Sequence, residues 1–359
     1  MIELSYFKGK RIFLTGHTGF KGSWISQILL EADAEVSGYA MKPLGEPALF
    51  DILKLNKSMP SYIGDIADLE LLQKVFDEVK PEIVIHLAAQ PIVRESYQNP
   101  VWTYQTNVMG TVNILECIRK SDFVHSFLNV TTDKVYKNRE WEWGYRENEE
   151  LCGYDPYSNS KSCSELVTYS YANSFFKDSG IAISTARAGN VIGGGDFAVD
   201  RIVPDCYRAA GRQESILVRN PDSIRPYQHV LEPLMAYLTI MSKQNEDKAF
   251  AGNYNIGSDE EDCITTGRLV SLFCDKWQKY SGNDLKWENG HVQGPHEANF
   301  LKLDCARFKK TFDWKPVWHI EHAIDKTAEW YCAYEQQADI KKLMAAQLNE
   351  YLKDDQANG

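Results

Sequence analysis

Short apolar runs that alternate with longer segments of helical pattern constrain this chain more than any other feature. RIFLTG, AEVSGYA, EIVIHLA, FVHSFLNV and IAISTARA each read as a buried strand, and a helix starting near Phe20 follows the first of them. Strands separated by helices pair in parallel through right-handed crossovers, which puts helices on both faces of one sheet. The expected fold class is α/β, a doubly wound parallel sheet. After about Asn190 the punctuation changes to VIGGGD, RNPDSIRPY and ENGHVQGPHE, loop-rich stretches between shorter elements, with a last helical segment near 320–352. We expect residues 1–190 to form a dinucleotide-binding domain that also carries the catalytic residues. Residues 191–359 should form mainly a smaller mixed α/β lobe for substrate, with some segments returning to the first domain.

FLTGHTGFKGSW sets Gly16, Gly19 and Gly22 at three-residue spacing between the first strand and the first helix. Glycine permits a tight turn and lets backbone N–H groups approach a pyrophosphate at the helix N-terminus, where the dipole favours negative charge. In that position the loop predicts a Rossmann-type dinucleotide site rather than a bare turn, contacted by Gly16, His17, Thr18, Gly19, Phe20 and Gly22. Asp65, with Ile66 beside it, stands where a third strand should end, placed either to accept a hydrogen bond from an adenine amino group or to cap a helix. Leu87 and the small Ala88 and Ala89 after the fourth strand, with Thr106, complete the expected cofactor contacts. The acidic residue expected about 20 positions beyond the glycines is missing. The second strand ends SGYAMKP, so these residues leave NAD against NADP open. Lys42 is either a 2'-phosphate contact or a solvated loop lysine, and His17 is bulkier than the loop needs.

YSNSK places Tyr157 and Lys161 on one helix face. Such a pair alone is usually a surface patch. Here it lies downstream of the glycine loop at the distance a doubly wound dehydrogenase requires, with Thr132 at the end of the neighbouring strand. A free phenol titrates near about pH 10, and a nearby ammonium and a nicotinamide cation both favour the phenolate. Thr132 would hold a substrate hydroxyl, Tyr157 would take its proton, and Lys161 would tune that base while binding cofactor ribose. TTDK then adds Asp133 and Lys134 at the same strand end, where unpaired charge is costly to bury.

Composition sets the exclusions. The net charge of -11, spread along 359 residues, argues against a nucleic-acid partner. The eight cysteines include no CxxC pair and no Cys/His cluster at zinc spacing, so no metal is expected and the thiols read as reduced, in a cytoplasmic protein. No stretch approaches the roughly 18 uninterrupted apolar residues of a membrane helix, and the N-terminus lacks an apolar signal segment.

TGHTGFKGSW, HLAAQPIVRESYQNPVWTYQTNVMGT, NVTTDKVY, NREWEWGYRE, GYDPYSNSKSCSEL, RAGNVIGGGD, DRIVPD, RPYQHVLEPL and HEANFLKLD together resemble the extended short-chain dehydrogenase/reductase family over nearly the whole chain. More narrowly, WEWGYRE, RAGNVIGGGD and RPYQHVLEPL resemble its CDP-glucose 4,6-dehydratase branch. The resemblance implies a lyase that turns a CDP-sugar, CDP-D-glucose, into CDP-4-dehydro-6-deoxy-D-glucose with NAD regenerated in each cycle, in deoxyhexose synthesis for surface polysaccharide. It implies a homodimer or homotetramer, paired through helices near 101–119 and 157–177.

It further implies that Asn190, Arg201 and Arg225 hold the diphosphate, ahead of Arg187, Arg219 and His229. Gln90 would face the sugar, Asn107 would order the active-site backbone or its ligands, and Glu297 would contact ribose or sugar hydroxyls. The tryptophans of EWEWGY form a lid or pack a long loop. Oxidation at C4 makes the C5 hydrogen acidic, so Asp133, protonated by burial, can release the C6 hydroxyl. Related dTDP-glucose dehydratases carry a glutamate base where this chain has Lys134, leaving the lysine as either the C5 base or a stabiliser of the enolate. Two rivals stand beside this reading: a nucleotide-sugar 4-epimerase, which has no need of Asp133 and Lys134, and a non-catalytic dinucleotide-binding regulator, which has no need of Tyr157.

Overall fold

The computed structural model describes residues 3–290 and 301–358. Each apolar run is a strand: β1 (Arg11–Thr15), β2 (Glu35–Ala40), β3 (Ser61–Ile63), β4 (Ile83–His86), β5 (Ser126–Val130) and β6 (Ala182–Ala188). With Asn253–Ile256 they form a seven-stranded sheet that runs from that strand through β6, β5, β4, β1 and β2 to β3. Every neighbouring pair is parallel. All residues of β4 and β5 are buried, which is why those segments read as continuous apolar runs and not as alternating ones. Strand order reverses between β1 and β4, so a crevice opens at their carboxyl ends, the place where ligands bind in such sheets.

Helices cover both faces. On one side Trp24, Ile25 and Ile28 of the first helix (Phe20–Glu31) and Leu234 and Leu238 of helix Leu231–Glu246 pack with Ile12, Ile85 and Leu128. On the other, Phe76 of helix Leu69–Val79 and Ile114 of helix Gly110–Arg119 pack with Phe13, Val84 and Phe127. Helix Leu231–Glu246 and strand Asn253–Ile256 belong to these sheet layers although they lie late in the chain.

The remaining late segments build short pairs. Ile216–Val218 runs parallel to Trp287–Asn289, and Ile224–Pro226 runs antiparallel to Cys263–Thr265. The final helical region is two helices, Ile320–Glu335 and Ile340–Asn358. Gln337 takes φ 56° between them, and Asp339 accepts a capping bond from Lys342 N at 3.1 Å. All eight cysteines are free. Among the described residues no helix is long and apolar enough to cross a membrane.

Candidate active site

At the end of β1 the chain turns through Gly16, φ 77°, where a Cβ would lie 2.7 Å from Ala88 N. A Cβ on Gly22 would lie 2.1 Å from Gly16 O. The loop is therefore pressed onto the end of β4 and onto its own helix, a fit that only glycine allows. Gly19 caps that helix, whose first turn holds no acidic residue, so its free N–H groups and dipole are available to an anion. Phe20 is its first residue, and Thr18 Oγ1 donates to Met41 O at 2.9 Å. The His17 ring does not crowd the loop: it is buried beneath Gly38, 2.7 Å from Ser61 Oγ and edge-on to Phe50. Leu87 N and Ala88 N both donate to Thr15 Oγ1 at 3.1 Å, tying the start of the HLAAQ turn to β1.

Asp65 follows β3 and is exposed, its carboxylate accepting from Ala67 N at 2.9 Å. The helix cap that sequence offered as its other role belongs to Asp68, which accepts from Leu71 N at 3.0 Å. Ile66 is buried against Gly110, and its carbonyl accepts from Asn113 Nδ2 at 2.9 Å. Thr106 is buried in the turn Gln105–Met109.

Thr132 ends the extended segment after β5, and Asp133–Val135 makes one tight turn. Asp133 is fully buried, and donors converge on its carboxyl: Thr132 Oγ1 at 2.9 Å, Asn190 Nδ2 at 3.1 Å and Lys134 Nζ at 3.3 Å. That convergence explains how a carboxylate and an ammonium can stand together at the end of a buried strand. Gly189 makes room for it, since a Cβ there would lie 2.0 Å from Asp133 Cγ.

The helix Pro156–Ser174 starts with proline and is capped by Asp155, which accepts from Ser158 N at 2.9 Å. It carries Tyr157 and Lys161 to the turn of Thr132. Burial pushes the Tyr157 phenol up, while Lys134, a hydrogen bond with Thr132 and Arg201 pull it down and Asp133 adds to the rise. Lys134 and Arg201 are thus cations that favour the phenolate, groups that the sequence did not pair with Tyr157. Lys161 is buried, donates to Val130 O at 3.1 Å, and is pushed down to about 8 by burial while Glu165 opposes the shift.

The substrate-lobe candidates separate. Asn190, φ 50°, is brought to Asp133, and Arg201 precedes helix Ile202–Arg212 and pairs with Asp196 at 2.8 Å. Arg225 lies on strand Ile224–Pro226, its Nη1 donating to Ile224 O at 2.9 Å. Gln90 does not face a sugar: its amide is turned inward to Ile92 and Thr103, at 2.6 to 3.1 Å. Asn107 bridges the Gln90 backbone to Ser160 Oγ on helix Pro156–Ser174, an ordering role rather than direct substrate contact. Glu297 lies outside the described residues.

Arg187 is 1% exposed and committed to Glu165, and His229 is caged by Trp24 and Trp318, so neither reaches a phosphate. Arg219 faces Asp200 at 3.5 Å. Trp141 stacks on Tyr145 whereas Trp143 is exposed. A cavity of about 340 Å³ adjoins Asp133, with Gly189, Gln228, Ile256 and Lys302 among its walls.

Sequence reasoning passed over Lys21, Asp196 and Glu165. Lys21, inside the glycine motif, is pushed down to about 7 by burial and by Lys161 and Arg201, with Asp133 and Asp196 opposing. The helical period that paired Tyr157 with Lys161 also reaches Glu165, and that signal was available.

The profile of the GDP-mannose 4,6 dehydratase family matches residues 13–327. The CDP-glucose 4,6-dehydratase of Salmonella typhimurium is 44% identical over 98% of this chain and 99% of its own length. Among solved structures, the UDP-glucose 4-epimerase of Thermotoga maritima with UDP-glucose superposes with TM-score 0.76 at 23% identity, covering 91% of this chain and 99% of that one. The dTDP-glucose 4,6-dehydratase of Bacillus anthracis in complex with NAD superposes with TM-score 0.74 at 21% identity, covering 93% and 100%.

Proposed function

The chain belongs to the GDP-mannose 4,6 dehydratase family, and from that premise we propose that it is an NAD-dependent lyase converting CDP-D-glucose to CDP-4-dehydro-6-deoxy-D-glucose and water. The observation that carries this reading over an epimerase is the buried Asp133 carboxyl, gathered with Lys134, Thr132 and Tyr157 at one strand end. An epimerase has no proton to deliver there.

The pressed glycine loop and the acid-free first turn fit the pyrophosphate of NAD, and Lys161 is placed for its nicotinamide ribose. Ala88, Ala89, Ile66 and Thr106 line its path and Asp65 reads the adenine. NAD held there would supply the hydride acceptor for C4 and the hydride donor for C6. Its positive charge also favours the phenolate that burial disfavours.

Thr132 holds the C4 hydroxyl and Tyr157 removes its proton, leaving a ketone beside C5. Transfer of a proton from Lys134 Nζ to Asp133 along their 3.3 Å hydrogen bond leaves an amine that takes the acidified C5 proton and an acid that gives its proton to the departing C6 hydroxyl, so the ion pair is restored as water leaves. Asn190 at the end of the first domain, with Arg201 and Arg225 from residues 191–359, grips the diphosphate, and residues 191–359 serve mainly as the substrate lobe.

The enzyme works in the cytoplasm as a homodimer or homotetramer. Adjacent helices expose Val101, Tyr104, Leu166 and Tyr169, which is apolar area suited to a second copy.

Mass spectrometry of the purified protein with NAD and CDP-glucose in deuterated water tests this, with dTDP-glucose alongside. Loss of one water with one deuterium retained at C5, for the CDP sugar, is the expected result. A galactose isomer of unchanged mass favours the epimerase, and no turnover favours the regulator.

A further inference from the structure

Two hydroxyls bracket the turn at 132–135, and one buried ion pair holds both. On the entry side Thr131 Oγ1 donates to Glu165 Oε1 at 2.5 Å. On the exit side Tyr136 Oη accepts from Arg187 Nη1 at 2.7 Å and donates to Asn255 Oδ1 at 2.6 Å. Arg187 Nη2 and Glu165 Oε2 close the link at 2.8 Å, each side chain 1% exposed. The other contacts of the pair also face inward: Thr185 Oγ1 donates to Glu165 Oε2 at 2.7 Å, and Arg187 Nη1 donates to Glu147 O at 3.0 Å. Buried and committed in this way, neither group touches substrate or cofactor.

A buried ion pair contributes little stability over apolar residues of the same volume, because desolvation offsets the attraction. What it does supply is fixed geometry, since hydrogen bonds to charged groups are short and directional. The turn takes that geometry from outside: within it, Lys134 N reaches Thr132 Oγ1 at a long 3.5 Å. Ser162 Oγ, on the same helix as Glu165, adds a bond to Val135 O at 2.7 Å, and Thr131 N continues the pairing with β6 by donating to Ala186 O at 2.8 Å. The place prepared for the Asp133 carboxyl is narrow. Gly189 abuts it with no room for a methyl group, and Asn190 donates to it at 3.1 Å. Arg187, on β6, leads directly into those two residues, so the pair sets the turn in register with the segment that receives Asp133.

We propose that Glu165 and Arg187 are positioning residues for the elimination half of the reaction: through Thr131 and Tyr136 they fix where the Asp133 carboxyl and the Lys134 amine stand relative to the sugar. The proposal rests on the reading of Asp133 and Lys134 as the groups that move protons at C6 and C5. Thr132 serves both halves of the reaction, whereas Tyr157 stands on helix Pro156–Ser174, so a loosened turn slows water loss more than it slows oxidation at C4.

A single turnover of CDP-glucose with NAD tests this, with reduced cofactor followed by its near-ultraviolet absorbance and water loss by mass. The variant Thr131→Val/Tyr136→Phe removes both bracketing hydroxyls and leaves the ion pair itself intact. Its kcat is expected to fall by about 10- to 100-fold, the cost of a misplaced group, with KM for CDP-glucose within about 2-fold of wild type. Reduced cofactor should build up before product forms, and substrate deuterated at C5 should show a larger isotope effect than in wild type. Thr131→Ser/Tyr136→Phe, which restores one hydroxyl, should recover part of the lost turnover. Glu165→Met/Arg187→Met leaves no unpaired buried charge, should show the same build-up, and serves where the first variant does not fold. Turnover equal to wild type, with or without a lower unfolding temperature, overturns the proposal, and so does slow turnover without build-up of reduced cofactor. If Asp133→Asn gives no build-up in the same assay, the reading of Asp133 fails and the proposal with it.

Discussion

At the scale of single residues, the site depends on space as much as on charge. Tyr157→Phe should slow C4 oxidation by at least about 100-fold, the contribution of a positioned base, read as turnover of CDP-glucose. Asp133→Asn should instead spare oxidation and slow water loss, so hydrogen exchange and product formation separate the two variants. Gly189→Ala, which adds no charge and removes none, should match Asp133→Asn, because its Cβ would lie 2.0 Å from Asp133 Cγ. A Gly189→Ala enzyme with wild-type turnover would show that the carboxyl's position is not critical. The proposed group Thr132, Asp133, Lys134, Tyr157 and Lys161 could be chosen from sequence because a strand end and an i,i+4 pair each announce themselves locally. That Gln90 turns inward, and that Lys134 and Arg201 favour the phenolate, was not legible, since side-chain direction in a loop depends on groups distant in the chain.

At the scale of elements, one buried acid, Glu232, ties the last helix to helix Leu231–Glu246. Glu232 Oε1 accepts from Val317 N at 3.0 Å and Trp318 N at 2.7 Å, and its Oε2 accepts from Tyr351 Oη at 3.0 Å. Burial pushes the acid up to about 8, against the backbone bond from Trp318, the bond with Tyr351 and the bond from Val317. A folded-state value raised in this way means that the neutral acid is preferred in the folded protein. Its contribution to stability is complete below the ordinary glutamate range and is lost as pH rises toward about 8. Glutamine keeps an acceptor for both N–H groups and has no charge to bury. The Glu232→Gln variant should therefore gain on wild type between about pH 6 and about pH 9, by roughly 2–4 °C in unfolding temperature. An unchanged gap at the two pH values would show that Glu232 does not titrate in that range. The sequence predicts one helix over this region; the left-handed Gln337 and the cap at Asp339 divide it, a break that hydrophobic periodicity alone does not reveal.

At the scale of the whole molecule, the exposed faces of the adjacent helices Pro100–Tyr104 and Pro156–Ser174 invite a second copy. Leu166→Glu with Tyr169→Glu should reduce the mass seen by sedimentation toward that of one chain while leaving the sheet folded; an unchanged mass would place the contact elsewhere. Sequence by itself determined the parallel sheet, the dinucleotide loop and the strand end that carries TTDK. Those features follow from periods of a few residues and from the steric freedom of glycine, which act within one segment. Only the tertiary structure decided which late helix and strand return to the first sheet, that Asn190 meets Asp133, and that Glu165 pairs with Arg187. The two side-chain contacts join residues 57 and 22 positions apart, and what selects them is the burial of complementary surfaces and the cost of leaving a buried charge unpaired, which no local pattern encodes.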